Sequence, residues 1–344
     1  MPSPFGLARA REQWERLRAA RADMRAARIL TEALVGMASD SAAIAAETAL
    51  AVATIQGELS AVRAELSAAR ADLVQAAEAA AANQERTLLG LRMVRDNDAA
   101  ARAALWALRS TAEYEAAFDE AEPLVTILIT TYMNWPLLRD RSLPSVLAQT
   151  YERFEAIVIG DAAPDETRRV VESFGDERLR FVNLPYRGPY PDNAADAWRI
   201  SGTTPFNTGF ALARGRWIGS NSDDDALRPR CVESLLAHAR ETRSEVPYGY
   251  IDQRKPDEPS DQLGTFPPSY GQWGIQSSLL HSGLGFLPLQ PSDWVFGIPN
   301  DISLLERMLR IGIRFSMIEE PVVDYYPSQL WSARENRLLR RETW

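Results

Sequence analysis

The sequence predicts an α/β protein whose sheet is preceded by a long helical region. Two observations lead to this prediction. No proline occurs between Pro4 and Pro123, and 36 of the first 120 residues are alanine, the strongest helix former. After Pro123, β-branched apolar runs of strand length alternate with helical patterns. Such alternation is typical of a parallel sheet that is covered by helices on both faces.

The composition excludes several classes of protein. The chain has 344 residues, of which 25% are charged and 46% hydrophobic, and this length suggests two folded domains. One cysteine, Cys231, and two histidines exclude a disulfide framework and a thiolate or histidine-rich metal site, so any metal must be bound by carboxylates. The net charge of −9 argues against a nucleic-acid-binding face.

The features of membrane-spanning and secreted proteins are also missing from the sequence. No apolar stretch approaches the roughly 18 to 20 residues that span a bilayer. The N-terminus lacks the basic-then-apolar pattern of a signal peptide. We therefore expect a cytoplasmic protein without a transmembrane segment, and any membrane contact would be peripheral, at the inner face.

Residues 1–120 are predicted to form helices that oligomerise the chain or dock it to partner helices. Gly36 and the cluster at 39–41 (Ser-Asp-Ser) predict a break between at least two helices. Apolar residues after this break alternate in steps of four and three, the repeat of a coiled-coil seam. The seam residues are Ile55, Leu59, Val62, Leu66, Ala69, Leu73 and Ala76. The seam can pair with another copy of the chain or with the first helix. The alternative, an amphipathic helix on a membrane surface, is disfavoured by the mixed charge of the polar face.

From Pro123 onward the elements predict a parallel sheet. The predicted strands span 124–130, 154–159, 179–182 and 216–220, and the predicted helices lie near 137–147, 167–174 and 206–213. Ligands of such sheets bind at the carboxyl ends of the strands. Polar elements follow three of these ends, at 130–132 (Thr-Thr-Tyr), at Asp161 and at 222–225 (Ser-Asp-Asp-Asp).

The run of aspartates from Asp223 to Asp225 predicts a divalent cation. Neighbouring carboxylates are costly unless a cation neutralises them, and oxygen ligands without His or Cys suit Mg²⁺ or Mn²⁺. Such an ion commonly accompanies phosphate. The alternative is a solvated acidic turn that caps the helix beginning near Pro229.

Taken together in chain order, the motifs after Pro123 resemble the nucleotide-binding half of a family 2 glycosyltransferase with the Rossmann-like GT-A fold. The resemblance covers residues 124–230. It rests on the segments 125–132, 145–151 (Ser-Val-Leu-Ala-Gln-Thr-Tyr), 161–167 (Asp-Ala-Ala-Pro-Asp-Glu-Thr), 207–215 (Asn-x-Gly-x-Ala-x-Ala-x-Gly) and 223–225. The chain departs from the family pattern at Gly160, where many members have aspartate, and at Ala162-Ala163, where Gly or Asn followed by Ser is usual.

The resemblance implies a domain arrangement and an activity. A helical coiled-coil region over 1–120 would precede a GT-A domain over 121–344, with a nucleotide-binding half at 121–230 and an acceptor-binding half at 231–344. The implied activity is inverting, metal-dependent transfer of a sugar from a UDP-, GDP- or dTDP-sugar. The acceptor would be a hydroxyl of a glycan or another molecule, in the synthesis of cell-surface polysaccharide or glycoconjugate.

The resemblance also implies roles for individual residues. The implied contacts of the nucleotide sugar are Thr130, Tyr132, Asp161, Asn207 and Asp223. Asp224, assisted by Asp225, would hold Mn²⁺ or Mg²⁺ against the diphosphate.

Asp301 is the expected general base of the transfer. The family places a carboxylate at the start of a helix in the acceptor half, and Asp301 precedes an amphipathic helix that Gly312 ends. The alternative is that Asp301 is the N-cap, which would lower its pKa and weaken it as a base. Asn300 stands where many relatives have glutamate.

Three further residue sets have two interpretations each. Aromatic residues between Pro256 and Pro299 could stack on a sugar acceptor or pin a loop by burial. By resemblance His281 would approach the diphosphate, although a lone histidine is more often structural. Arg199 could neutralise the donor or lie on an exposed helix surface.

The sequence suggests two rival functions, and the second has less support than the first. Gly160 and Asn300 favour a coiled-coil scaffold whose degenerate transferase domain binds nucleotide without turnover. A nucleotidyltransferase would normally place a Gly-rich loop and basic residues after the first strand, whereas this chain has Thr-Thr-Tyr-Met-Asn at 130–134.

Overall fold

A computed structural model describes residues 4–36, 42–255 and 259–327 of the chain. The chain divides into two compact units between Arg92 and Met93. The helices in the described residues are α1 (Pro4–Gly36), α2 (Ala42–Asp96), α3 (Asp98–Leu108), α4 (Ala112–Asp119), α5 (Trp135–Leu137), α6 (Leu143–Leu147), α7 (Asp165–Ser173), α8 (Ala194–Arg199), α9 (Thr203–Leu212), α10 (Cys231–Thr242) and α11 (Asn300–Ile311). The strands are β1 (Val125–Thr131), β2 (Phe154–Gly160), β3 (Leu179–Asn183), β4 (Trp217–Ser222), β5 (Ala226–Leu227), β6 (Val246–Gln253), β7 (Asp261–Leu263), β8 (Leu279–His281) and β9 (Phe315–Tyr325).

The first unit contains α1 and most of α2. Helix α1 is described as far as Gly36, and the predicted caps at 39–41 lie outside the described residues. Met24 of α1 and Leu59 of α2 line one groove, so the two helices lie side by side. The seam residues from Ile55 to Leu73 are half-buried, whereas Ala76 and the charged residues between them are exposed. Burial along α2 therefore follows the predicted repeat, and pairing of the seam with another chain stays a prediction.

The second unit is built on a five-stranded sheet in the order β3-β2-β1-β4-β8. Neighbouring strands are parallel except β8, which runs antiparallel to β4. Alternate residues of β1 pack into different hydrophobic clusters, Ile127 and Ile129 in one and Leu128 in the other. Since successive side chains of a strand point to opposite faces, both faces of the sheet are covered. The predicted α/β class and the long helical region before the sheet are confirmed.

Helices α3 and α4 pack into the core of this second unit. Leu105 of α3 and Phe118 of α4 are buried, and Trp217 Nε1 of β4 donates a hydrogen bond to the carbonyl oxygen of Ala117 at 2.9 Å. The predicted boundary at residue 120 thus falls later than the division between the units. Helical periodicity and alanine content continue through residues 98–119, and neither property reveals which partner a helix packs against.

A second, smaller sheet has the strand order β5-β9-β6-β7. Its strand β5 follows the acidic turn, residues 223–225, in sequence. Strand β5 begins directly after Asp225, and it pairs with the end of β9 through Ala226 and Asp324. Arg228 donates hydrogen bonds to Asp324 at 2.9 Å and to Asp252 at 2.6 Å. These contacts fix the turn from its C-terminal side. None of the described helices has both the length and the apolar character needed to cross a membrane.

Candidate active site

The three polar elements that follow β1, β2 and β4 meet at one edge of the sheet. The strands are hydrogen-bonded neighbours, and their register pairs Thr131 with Gly160 and Thr130 with Ser222. The backbone N–H of Asp161 donates to the carbonyl oxygen of Thr131 at 2.8 Å. Parallel strands that end in register bring their carboxyl ends to one place, which is where such sheets bind ligands.

The side chains of the acidic turn diverge. Asp223 accepts a hydrogen bond from Asn134 Nδ2 at 3.1 Å, and the buried Asp225 accepts one from the backbone N–H of Tyr326 at 2.9 Å. Between them, Arg141 donates to the carbonyl oxygen of Asp224 at 2.5 Å. The first and last carboxyl groups of the turn are therefore held by different segments, one before α5 and one after β9.

The electrostatics of this turn favour a bound cation. Burial and the charge of Asp224 raise the pKa of Asp223 to about 6 and that of Asp225 to about 7. Burial also raises the pKa of Asp224, and Arg141 is the cation that opposes this effect. A divalent ion would favour the ionised carboxylates in the same way. The described residues contain no group of three or more His, Cys, Asp or Glu side chains that could hold a metal ion.

Asp161 is bound by the loop between β3 and α8. Its carboxylate accepts hydrogen bonds from the backbone N–H of Gly188 at 2.9 Å and from the hydroxyl of Tyr190. The guanidinium of Arg187 in the same loop lies 3.8 Å from the ring centre of Tyr132. The loop thus lies against two of the predicted nucleotide contacts. The sequence did not single out Arg187 or Tyr190, because an irregular loop carries no periodic signal.

Thr130, another predicted contact, lies beneath the first turn of α9. A Cβ atom added to Gly202, just before α9, would lie 3.2 Å from Thr130 Oγ1. Gly202 has a φ of 73°, in the region that glycine adopts without steric cost. The missing side chain therefore allows α9 to begin directly over the end of β1.

The structure explains the departure at Gly160. A Cβ atom there would lie 2.4 Å from Asn183 Oδ1. The Asn183 amide accepts from the N–H of Ala163 at 2.9 Å and donates to its carbonyl oxygen at 2.8 Å. Asn183 therefore fills the space beside Gly160 and holds the turn that carries Asp161. Within this turn Ala162 has a φ of 53°, a conformation that suits the Gly or Asn usual in the family.

Asn207 and Arg199 have protein partners in the structure. Asn207 donates to the carbonyl oxygen of Leu289 at 2.8 Å and accepts from its N–H at 3.0 Å. Arg199 donates to the carbonyl oxygen of Gly297 at 2.9 Å and to Asp196 at 2.8 Å. These bonds therefore join the segment before α11 to helices α8 and α9. Contact between Asn207 and the donor stays a prediction.

Asp301 is the second residue of α11, which Pro299 precedes as the N-cap. Its carboxylate accepts a hydrogen bond from the N–H of Ile302 at 2.8 Å. Burial raises the pKa of Asp301 to about 6, and the charge of Asp293 acts in the same direction. Asp301 is therefore not the cap, and its pKa is not lowered as capping would require.

The neighbouring Asn300 has a structural role. Its amide donates to Thr203 Oγ1 at 2.7 Å and to the carbonyl oxygen of Ser201 at 3.1 Å. These bonds join the start of α11, which carries Asp301, to the start of α9. The departure at Asn300 thus accompanies a contact that fixes the candidate base.

The expectation that His281 approaches the diphosphate is wrong. His281 is 2% exposed and packs between the rings of Tyr114 and Trp217, with centroid distances of 4.9 Å and 5.5 Å. It pairs with Trp217, the first residue of β4, whereas the acidic turn follows the last. At about 3.3 Å per residue, the length of β4 separates His281 from the aspartates.

Some aromatic residues between Pro256 and Pro299 are buried, as expected for a pinned loop, and others are exposed, as stacking on a sugar would require. Trp273 belongs to the hydrophobic core, with 3% of its surface exposed. Phe266 and Tyr270 are more than half exposed. Burial therefore pins this segment at Trp273 and leaves two aromatic side chains on its surface.

Part of the main sheet is similar to a known protein family. Residues 126–194 match the family model described as glycosyl transferase family 2. The succinoglycan biosynthesis protein ExoO of Rhizobium meliloti is 28% identical over 38% of this chain and 34% of its own length. Chondroitin synthase of Escherichia coli is 30% identical over 40% of this chain and 18% of its own length. The chain spans about a third or less of the length of these relatives.

Among solved structures, that of S. aureus TarS 1-349 in complex with UDP-GlcNAc is similar, with a TM-score of 0.48 and 14% identity over 60% of this chain and 59% of that one.

The family match begins in β1 and includes Asp161. The match confirms the resemblance identified from the motifs: residues 126–194 are similar to glycosyl transferase family 2.

Proposed function

We propose that this chain transfers a sugar from a nucleoside diphosphate sugar to a hydroxyl group of a glycan or another acceptor, with inversion at the anomeric carbon. The observation that carries the proposal is the meeting of residues 130–132, Asp161 and the acidic turn at one edge of the sheet, in register. The names of similar proteins, succinoglycan biosynthesis protein and chondroitin synthase, support a role in polysaccharide or glycoconjugate synthesis.

The donor would bind along this edge. Tyr132 and Asp161 would contact the base, while Thr130, Asn207 and Asp223 would contact the rest of the nucleotide sugar. Asp224, assisted by Asp225, would hold Mn²⁺ or Mg²⁺. When bound, the ion supplies positive charge that stabilises the departing diphosphate. Arg141 and Asn134 support this arrangement, because they hold the backbone of Asp224 and the carboxylate of Asp223.

Asp301 would accept the proton of the acceptor hydroxyl. The hydroxyl oxygen forms a bond to the anomeric carbon, the bond from that carbon to the diphosphate oxygen breaks, and the nucleoside diphosphate leaves. One displacement of this kind inverts the anomeric carbon. A carboxylate with a pKa of about 6 is ionised at neutral pH and is a stronger base than an exposed aspartate.

We also propose that the first unit joins the enzyme to a second copy or to partner helices. Among the described side chains at 11–32 and 46–92, none is fully buried. Large apolar side chains such as Trp14, Ile29 and Leu50 are more than half exposed. Further helices packed on these surfaces would remove them from water.

The experiment that tests the function is release of nucleoside diphosphate from a panel of UDP-, GDP- and dTDP-sugars with Mn²⁺. Wild-type protein is expected to turn over one class of donor, and Asp301→Asn is expected to lose turnover while it still binds nucleotide. The scaffold hypothesis predicts binding without turnover for every sugar in the panel. The residues that favoured this hypothesis, Gly160 and Asn300, both have structural roles.

A further inference from the structure

The last turn of α2 contacts the first turn of α11 within the second unit. Arg95 Nη1 donates a hydrogen bond to Asp293 Oδ1 at 2.6 Å. The hydroxyl of Ser303 donates to the same oxygen at 2.7 Å, and Ser303 lies two residues after Asp301. A chain of hydrogen bonds therefore runs from Arg95 through Asp293 to the helical turn that carries the candidate base.

Arg95 has several contacts in this position. Its side chain is 14% exposed and that of Asp293 is fully buried. Arg95 Nε also donates to Asp96 at 2.8 Å, and its guanidinium lies 4.5 Å from the ring centre of Phe296. A buried carboxylate needs a partner of opposite charge, so Asp293 depends on Arg95.

Asp293 acts on Asp301 as a like charge. Burial first, and then the negative charge of Asp293, raise the pKa of Asp301. Arg95 and Arg307 carry the positive charges that act on Asp293. Other charged groups on α11 and on the elements packed around it include Asp96, Asp98, Arg102, Asp196, Arg199, Glu306 and Arg310. The Arg310 guanidinium donates to Asp96 and Asp98, and Arg102 donates to the carbonyl oxygen of Arg310. Arg310 lies nine residues beyond Asp301, which is about 13 Å along the helix.

We propose that Arg95 is a positioning residue for Asp301. It fixes the first turn of α11 through Asp293 and Ser303, and its charge offsets that of Asp293 beside the base. The proposal rests on the proposed role of Asp301 as general base. It assigns a part in the reaction to the end of the long helix α2, which the family motifs do not include.

The test is a ¹³C NMR titration of the aspartate carboxyl carbons in the full chain, with Asp301 assigned by the loss of its signal in Asp301→Asn. Asp293→Asn is expected to lower the titration midpoint of Asp301, because a neutral amide removes the like charge. Arg95→Gln is expected to raise the midpoint by about half a pH unit or more, because Asp293 then acts on Asp301 without its partner. The double variant is expected to fall below Arg95→Gln.

Arg102→Gln is the matched control, since Arg102 also contacts α11 but bonds to the carbonyl oxygen of Arg310 at 2.8 Å. Its midpoint is expected to equal that of the wild type. An unchanged midpoint in Arg95→Gln would overturn the inference. If Arg95→Gln fails to fold, an unchanged midpoint in Asp293→Asn still overturns the inference, because Arg95 is proposed to act on Asp301 through Asp293. Donor turnover that survives in Asp301→Asn would instead overturn the proposed function.

Discussion

The two units of this chain differ in what holds their residues in place. In the second unit, both faces of the sheet are covered by buried clusters, and Leu128 and Trp217 are fully buried. In the first unit the seam residues are at most half-buried, and charged residues between them are exposed. Packing from many elements fixes each position of the candidate site, whereas the helical unit is specified mainly by its own periodicity. Substitutions of the same kind should therefore have different effects in the two units.

Deletion of N-terminal residues tests where the second unit begins, and it should have the largest effect on stability. Removal of residues 1–92 is expected to leave a cooperatively folding protein, because α3 and α4 remain. Removal of residues 1–120 also deletes Tyr114, Ala117 and Phe118 from the core, and we expect loss of cooperative thermal unfolding. Calorimetry of the two truncated proteins provides the measurement. Equal stability of both proteins would show that the domain begins after residue 120.

The matched variants Asp301→Asn and Asp72→Asn compare one carboxylate from each unit. Asp301→Asn is expected to reduce donor turnover by about 10²–10⁴-fold, the usual contribution of a general base. Asp72, exposed on α2, is expected to contribute nothing. Turnover of the wild type should also fall as the pH drops through about 6, because protonated Asp301 cannot accept a proton. Steady-state assays between pH 5 and pH 8 would measure both effects, and equal rates for the two variants would exclude Asp301 as the base.

Truncation of one leucine in each unit compares a full core with a seam. Leu128→Ala is expected to lower the free energy of unfolding by about 2–5 kcal/mol, since the side chain is fully buried. Leu66→Ala in the half-buried seam should cost about 1 kcal/mol or less. Urea denaturation followed by circular dichroism measures both. A loss at Leu66 as large as that at Leu128 would show that the seam is buried against another chain.

Two glycine substitutions give the smallest effects, and these should have opposite signs. Gly160→Ala is expected to lower the free energy of unfolding by about 1–3 kcal/mol, because the new methyl group overlaps Asn183. Gly57→Ala on α2, where an added Cβ would lie more than 4 Å from any atom apart from its chain neighbours and the backbone of its own helix, should raise it by about 0.5–1 kcal/mol through helix propensity. Thermal unfolding checks both signs. A Gly160→Ala protein as stable as the wild type would mean that Asn183 can move away.

The sheet and the polar elements that meet at one of its edges could be predicted from sequence because they depend on local patterns. The predicted strand at 154–159 agrees with β2 (Phe154–Gly160), since a β-branched apolar run has the length of a buried strand. Asp161 and Asp223 were predicted because each directly follows a strand. The partners of these residues, such as Asn183 and Tyr190, were missed, because contacts between distant loops leave no periodic signal. The same reason hid the packing of α4 against the sheet.

The most direct test of the account is the thermal stability of the purified chain with UDP, GDP, dTDP and CMP, each with and without Mn²⁺, for the wild type, Asp224→Ala and Asp301→Asn. A ligand that binds only the folded state raises the melting temperature. We predict that one nucleoside diphosphate stabilises the wild type and Asp301→Asn only when Mn²⁺ is present, and that Asp224→Ala loses this response. Absence of stabilisation by every nucleotide, or an unchanged response in Asp224→Ala, would contradict a nucleotide-sugar site at this edge of the sheet.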